Sequence, residues 1–325
     1  MGMGPRLAPI ERDLALVEQI LTGEVDSSTE LICRIAGYAL KSKGKRIRPA
    51  LLLLSARICG YQDGLRHVRL AAISEFLHVA ALIHDDIIDN SDMRRGRPSA
   101  NFQWGNGLSV LVGDYLYSRS VKHLIEDEDL EIMRAFTEAT LRMVEGEVLQ
   151  REMTERGDAS LEQYMRMMSY KTASLFSACC RVGALIARAP QEDIDALTQY
   201  GSELGIAFQI MDDTLDFLAD AKVLGKPVGQ DLREGRITFP LYRILEEGAP
   251  SEKDLLRHFA EEKEMREEIV KEILSLLERY QGLEWAKGIA HDQVEKAKGH
   301  LAPFPPSESK ETLLDLADYI LLRER

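Results

Sequence analysis

Two long apolar stretches of this chain end in the same acid pattern, and no other feature restricts the fold as much. The first, HVRLAAISEFLHVAALIHDDIIDN, runs over 67–90 and carries Asp85, Asp86 and Asp89. The second, ending in FQIMDDTLDF, carries Asp212, Asp213 and Asp216. Stretches this long and apolar on most faces read as central helices of a large bundle, not as strands. Glycine and proline fall between them and do not punctuate short strands. Helices are expected from Pro49, a residue suited to a first helical turn, over 67–90, and near 107–125, 128–152, 160–187 and 191–219. MRRGRPSAN and ADAKVLGKPVGQDLREGRIT read as loops, and the C-terminal third as charged, amphipathic helices. No low-complexity linker divides the chain, so one all-α domain over 1–325 is expected, a single large helical bundle.

The acid pattern asks for a cation. On a helix, positions i and i+4 share a face, so Asp85 points with Asp89, and Asp212 with Asp216. Two such carboxylates repel each other, and the helix C-terminal dipole disfavours them further. A single cluster of this kind is more often a solvated helix end; its repetition on two apolar helices carries the reading. An all-oxygen donor set suits a hard ion such as Mg²⁺, held by one or two carboxylates, waters and substrate phosphates.

The basic residues supply an anion partner. Arg94 and Arg95 follow the first cluster directly. They can pair with the aspartates alone, but a guanidinium fork also matches phosphate oxygens. Upstream, KSKGKRIRP puts Lys45 and Arg48 just ahead of a helix, between Gly44 and Pro49. Helix starts of this kind hold anions. Lys226 lies beyond the second acid cluster. Metal plus arginine around one place suggests a diphosphate. The face leading back from Asp85 carries Ala81, Ala80, Leu77 and Ser74, small near the acids. Such a face serves either close helix packing or a tunnel wall, and composition does not choose.

Other classes are excluded by composition. The net charge of -13 is not that of a nucleic-acid binder. The run ALLLLSARIC is too short to span a membrane, and the N-terminal residues show no apolar signal core. Cys33, Cys59, Cys179 and Cys180 form no CxxC pair, and the seven histidines form no zinc pattern. The thiols read as reduced in a cytoplasmic protein.

Taken together, the chain resembles the trans-isoprenyl diphosphate synthases (polyprenyl synthetases). GKRIRP, LIHDDIIDNSDMRRGRP, YKTASLF, GIAFQIMDDTLDF and GKPVGQDLREGRITFP stand in the family's order and approximate spacing, and ETLLDLADYILLRER looks like its ending. The likeness covers nearly the whole chain. It implies the isoprenoid synthase fold, with a central apolar cavity, and head-to-tail condensation of isopentenyl diphosphate with an allylic partner, farnesyl or geranyl diphosphate. By the resemblance, Asp85, Asp86, Asp89, Asp212, Asp213 and Asp216 bind Mg²⁺ bridging to the allylic diphosphate. Arg94 is an allylic diphosphate contact. Lys45, Arg48, His78 and Arg95 form the isopentenyl site, and Lys171, Thr172, Gln209 and Lys226 surround the allylic substrate. Arg236 stands where the family commonly has lysine, which keeps the charge and alters the geometry. A homodimer is implied, with product delivery at a membrane and use in a quinone side chain.

Three alternatives are weaker. A class I terpene cyclase shares a first DDxxD but needs no isopentenyl site. A non-catalytic partner subunit typically lacks the acids that are present here. A short-chain farnesyl or geranylgeranyl diphosphate synthase has a bulky floor near the first cluster. The small Ala80 and Ala81 leave that exit open past Leu77 and Ser74, and the resemblance then implies a long-chain product of about C40, with Phe136 the candidate floor.

Overall fold

The computed structural model describes residues 7–23, 27–41, 44–62, 64–156, 159–218, 230–233, 235–261 and 267–323. They form helices α1 (Glu11–Gly23), α2 (Glu30–Leu40), α3 (Ile47–Ile58), α4 (Arg66–Ile88), α5 (Ala100–Trp104), α6 (Asn106–Glu126), α7 (Leu130–Arg156), α8 (Leu161–Met168), α9 (Ser174–Ile186) and α10 (Gln191–Leu218). A π-helical turn, Ser169–Ala173, joins α8 to α9. Beyond α10 come shorter helices, among them Gly282–His300 and Glu308–Leu322. The strands among the described residues are Met93–Arg94 and Arg97–Pro98, an antiparallel pair beside the first acid cluster. The expected all-α bundle is what forms.

The central position of α3, α4, α9 and α10 follows from their composition. Leu51, Leu52, Leu53 and Leu54 are all fully buried on α3, so no face of that stretch meets water. α4 buries residues on every side, from Val68 to Ile83. α9 packs on α3 and α10, and α10 packs on Gly282–His300. A smaller apolar cluster joins Phe217 to Leu232, Leu241, Leu256 and Ile273. Pro49 falls in the first turn of α3, as expected, but the helix begins at Ile47. The single helix expected over 160–187 is interrupted by the π turn, and the MRRGRPSAN loop contains the small hairpin. Most of the loop expected after α10, with Lys226, lies outside the described residues. No described helix is long and apolar enough to cross a membrane.

Candidate active site

The C-terminal ends of α4 and α10 border one cavity of about 1070 Å³, with Asp85 and Asp89 contributed by one and Asp212 and Asp213 by the other. The two DDxxD segments are built alike. In each, the second aspartate is buried and held by protein donors. Asp86 accepts from Arg94 Nε at 2.7 Å and pairs with Arg94 Nη2. Asp213 accepts from the Tyr164 hydroxyl at 2.7 Å, Gln209 Nε2 at 2.8 Å and the Phe239 N–H at 3.3 Å. The six acids are not held alike: Asp86 Oδ1 takes both Arg94 contacts, and both oxygens of Asp213 accept protein donors while Asp213 still lines the cavity. Asp85, Asp89 and Asp212 stay open to the cavity, and Asp216 accepts the Asp231 N–H at 3.0 Å.

Burial raises the proton affinity of these groups. It pushes Asp85 up to about 6, against the pull of Lys171 and with help from Glu147 and Asp89. It pushes Asp213 up to about 7, although Tyr164 and Gln209 donate to it. Asp86 and Asp212 are raised by burial too, and Arg94 and Arg323 respectively oppose this. Carboxylates held this way are stabilised by a cation. Their donors are oxygens only, which fits Mg²⁺ chemistry. Among the described residues no three His, Cys, Asp or Glu side chains gather tightly enough to enclose an ion. Mg²⁺ needs no such cage, since waters and substrate phosphates complete its shell.

The basic residues separate into two groups. Arg48, in the first turn of α3, stacks on the Phe176 ring at 4.9 Å, and its Nε is buried without a hydrogen-bond partner. Lys45 Nζ lies over the Tyr319 ring at 5.2 Å. Between them, Arg46 adopts a left-handed backbone (φ 50°) and turns away to Glu75 at 2.5 Å and the Leu40 carbonyl at 2.9 Å. The alternation in KGKRIRP therefore sends two cations to the cavity and one into the scaffold. His78 and Arg95 line the same side. Burial and the neighbouring guanidiniums keep His78 well below its ordinary value, so it is neutral. Across the cavity, Arg236 reaches Asp231 through Nε at 3.1 Å and stands 4.0 Å from Asp89, linking the two acid segments.

Lys171 and Thr172 project from the π turn. Lys171 Nζ donates to Gln150 Oε1 at 2.8 Å and pairs with Glu147. Thr172 donates to Gln209 Oε1 at 2.6 Å, and Gln209 passes the chain on to Asp213. Five participants were not among the residues expected at the site: Tyr164, Glu147, Gln150, Arg151 and Arg323, the last lying within the C-terminal stretch ETLLDLADYILLRER. Arg151 Nη2 donates to the Ile88 carbonyl at 2.6 Å, at the end of α4. Arg323, after Glu308–Leu322, bonds Asp212 at 2.8 Å and lies 4.2 Å over the Phe208 ring. For Glu147, Gln150 and Arg151, their spacing on one helical face was the only available clue.

The apolar part of the cavity lies between α4, α6 and α7. Ala81 lines it, with Leu82, Val110, Met143, Val144 and Val148. The other expected wall residues do not. Ala80, Leu77 and Ser74 are buried in the core, and Ser74 bonds the Ala71 carbonyl at 2.7 Å. Phe136 is fully buried and off this wall. Rotation accounts for Ala80, since each residue turns a helix by about 100° and Ala80 faces inward where Ala81 faces the chamber; Leu77 and Ser74, four and seven residues before Ala81, share its face and are covered by core packing farther up the helix.

Comparison with known proteins agrees with this arrangement. A family model described as polyprenyl synthetase matches residues 29–277. Octaprenyl diphosphate synthase of Escherichia coli (strain K12) is 38% identical over 314 residues, 97% of each chain. The crystal structure of a polyprenyl synthase from Caulobacter crescentus CB15, complexed with calcium and isoprenyl diphosphate, matches with a TM-score of 0.92 at 33% identity, over 100% of both chains. A decaprenyl diphosphate synthase from Rhodobacter capsulatus matches with a TM-score of 0.92 at 36% identity, over 98% of this chain and 99% of that one.

Proposed function

Because this chain belongs to the polyprenyl synthetase family, and is thus a prenyltransferase, we propose that its cavity joins isopentenyl diphosphate to farnesyl or geranyl diphosphate and repeats the step to a long chain. The observation that carries this reading is the separation of charge: two acid segments facing each other, with a distinct basic cluster at Lys45, Arg48, His78 and Arg95. A cyclase has no use for that second cluster.

In this reading the allylic diphosphate lies between α4 and α10, contacted by Arg94, Lys171 and Arg236; the resemblance adds Lys226, which lies outside the described residues. Asp85, Asp89, Asp212 and Asp216, with Asp86 and Asp213 behind them, would hold Mg²⁺, which would supply the positive charge that offsets the leaving diphosphate. The Caulobacter crescentus relative is described as complexed with calcium and isoprenyl diphosphate, which supports a divalent ion together with a diphosphate. Asp86 and Asp213 fix Arg94 and the Gln209–Thr172 chain in place. Lys171 and the arginines stabilise charge that develops as the allylic C–O bond breaks and its electron pair goes to the diphosphate. The double bond of isopentenyl diphosphate, anchored by Lys45, Arg48, Arg95 and neutral His78, then forms the new C–C bond. A proton leaves the product to the released diphosphate. Thr172 and Gln209 present oxygens to the transient cation, and the apolar walls exclude water.

The chamber beyond Ala81 takes the growing tail, and its openness on the α4 face, with the octaprenyl and decaprenyl names of the relatives, supports a product of about C40. The chain acts as one catalytic domain. α6 and α7 expose Val110, Leu111, Tyr117, Leu141, Val144 and Val148, and apolar side chains exposed on two neighbouring helices support an interface there. A second copy of the chain covers it in a homodimer. A cytoplasmic enzyme delivering its product at a membrane fits the acidic chain. The decisive experiment incubates the purified protein with both diphosphates and Mg²⁺, then extracts, dephosphorylates and sizes the products. A chelator-sensitive ladder ending at long chains is expected; absence of any prenyl product overturns the reading.

A further inference from the structure

His84 precedes Asp85 and lies three residues after Ala81, so it shares the chamber-facing side of α4. It lines the cavity, with its side chain 34% exposed. Its imidazole does not stand in the chamber. Nε2 lies 3.3 Å from the Val110 carbonyl oxygen and 3.5 Å from Asp114 Oδ1, both on α6. Gly113 lies between those two partners in sequence on α6. A Cβ placed there would lie 2.3 Å from His84 Nε2, 2.7 Å from Cδ2 and 2.9 Å from Cε1. The missing side chain of Gly113 is therefore a notch that the imidazole fills.

We propose that His84 and Gly113 form a gate on the hydrocarbon chamber: parked in the notch, His84 leaves the tail's path clear, and displaced from it, the ring obstructs that path and shortens the product. This rests on the reading of the chamber as the seat of the growing chain. The displacement follows from sterics. Side chains occupy a few discrete rotamers, and a methyl on Gly113 removes the one in use. The α6 backbone cannot yield cheaply, because Val112 and Leu116 are buried on either side of it. The imidazole can move, because it borders open volume. That volume is the chamber, flanked by Ala81, Met143, Val144 and Val148. A polar ring among those walls narrows the passage and, lacking its α6 partners, resists an apolar tail.

The test compares dephosphorylated products by chromatography, with folding checked by thermal melt. Gly113→Ala is expected to shorten the longest product by one or more isoprene units. The double variant Gly113→Ala with His84→Ala should return it to the parental length, because the obstructing ring is gone. His84→Trp, too large for the notch, should shorten the product without altering α6. Ala81→Phe probes the chamber independently. If Ala81→Phe shortens the product and Gly113→Ala does not, the gate is overturned while the chamber stands. If the double variant stays as short as Gly113→Ala, distortion of α6 is the cause and the gate is overturned. Should Gly113→Ala fail to fold, unchanged length in His84→Trp overturns it alone. Unchanged length in Ala81→Phe, folded and active, removes the chamber and the gate together.

Discussion

Arg323 bonds Asp212 in the cavity, and the strength of that link can be worked out. The Arg323 side chain is 9% exposed and Asp212 is 38% exposed. A fully buried pair broken at one partner costs about 3–5 kcal/mol, whereas an exposed pair is worth about 0–1 kcal/mol. The exposure of Asp212 discounts the pair towards the lower limit, to about 1–2 kcal/mol. The Phe208 ring beneath the guanidinium adds about 0.5–2 kcal/mol that Asp212 does not share. Arg323→Met should therefore destabilise the protein by roughly 2–3 kcal/mol, a fall in Tm of several degrees for a chain of this size. A double-mutant cycle with Asp212→Asn should return a coupling of about 1–2 kcal/mol. The same cycle repeated with Mg²⁺ and inorganic diphosphate should show less coupling, because a divalent ion at Asp212 replaces the guanidinium as its counter-charge. The assay is denaturant unfolding of the four proteins under both conditions. No coupling without metal refutes the pair, and unchanged coupling with metal refutes the exchange of partners.

Other outcomes follow from the same geometry. Asp85→Asn and Asp212→Asn should each lower kcat by about two orders of magnitude or more at saturating Mg²⁺, since each removes charge that acts on the leaving group; near-normal turnover in steady-state assays would contradict the metal assignment. Lys45→Ala or Arg48→Ala should raise KM for isopentenyl diphosphate far more than for the allylic partner, and equal rises would unseat the two-site division. Ala80→Phe, into packed core, should cost about 1–3 kcal/mol, while Ala81→Phe, into the chamber, should cost little and truncate the product; melts and product sizing separate the two. His67 Nε2 stands 3.1 Å from Asp13 Oδ2, joining α1 to α4, and Arg57 bonds the same oxygen at 2.8 Å. Burial lowers His67 below its ordinary 6.5, so its contribution to stability is present above that pH and lost as pH falls below it. On Asp13, burial is outweighed by contacts with Arg57 and His67, and its lowered value likewise favours the fold until acid protonates it. Unfolding free energy should therefore drop between pH 7 and about 5, with a shallower slope in His67→Gln; an equal slope would exclude His67 as the source.

The bundle and the acid segments were legible because both are local. Apolar residues on every face of α3 and α4 can be satisfied only at a centre, and DDxxD can be read without knowing what lies opposite. Local periodicity also gave the shared face of Asp85 and Asp89. It did not reveal that Asp86 and Asp213 are held by protein donors, because that depends on Arg94 and on a tyrosine 49 residues away from Asp213. The role of Arg323 was hidden for the same reason: its partner is an element of α10, and no spacing announces it. Of the expected chamber wall, Ala81 lines the cavity, Ala80 lies one step of helical rotation away and falls in the core, and Leu77 and Ser74, on Ala81's own face, are buried farther up the helix. The role of Arg46 was likewise invisible, since a basic residue inside a basic run gives no sign of a left-handed backbone.

The π turn at Ser169–Ala173 has a consequence for how this protein tolerates insertions and deletions. Such a turn carries one residue more than an α-helical path of the same rise. Upstream of it, Tyr164 is anchored to Asp213, and downstream Phe176 lies beneath Arg48. Gly146 of α7 presses on the surplus, where a Cβ would lie 2.5 Å from the Lys171 backbone nitrogen. Deleting a single residue from the turn would absorb that surplus into an ordinary helix and leave its two halves in register, whereas deleting one outside the turn would rotate one half of the rod against the other by about 100°. In the second case Tyr164 and Phe176 could no longer both meet their partners; in the first they could, and the loss would fall on Lys171 and Thr172, which the turn carries to the cavity. The turn therefore absorbs a change of chain length between these two aromatic anchors that the helices on either side cannot, at the expense of the cavity groups it carries.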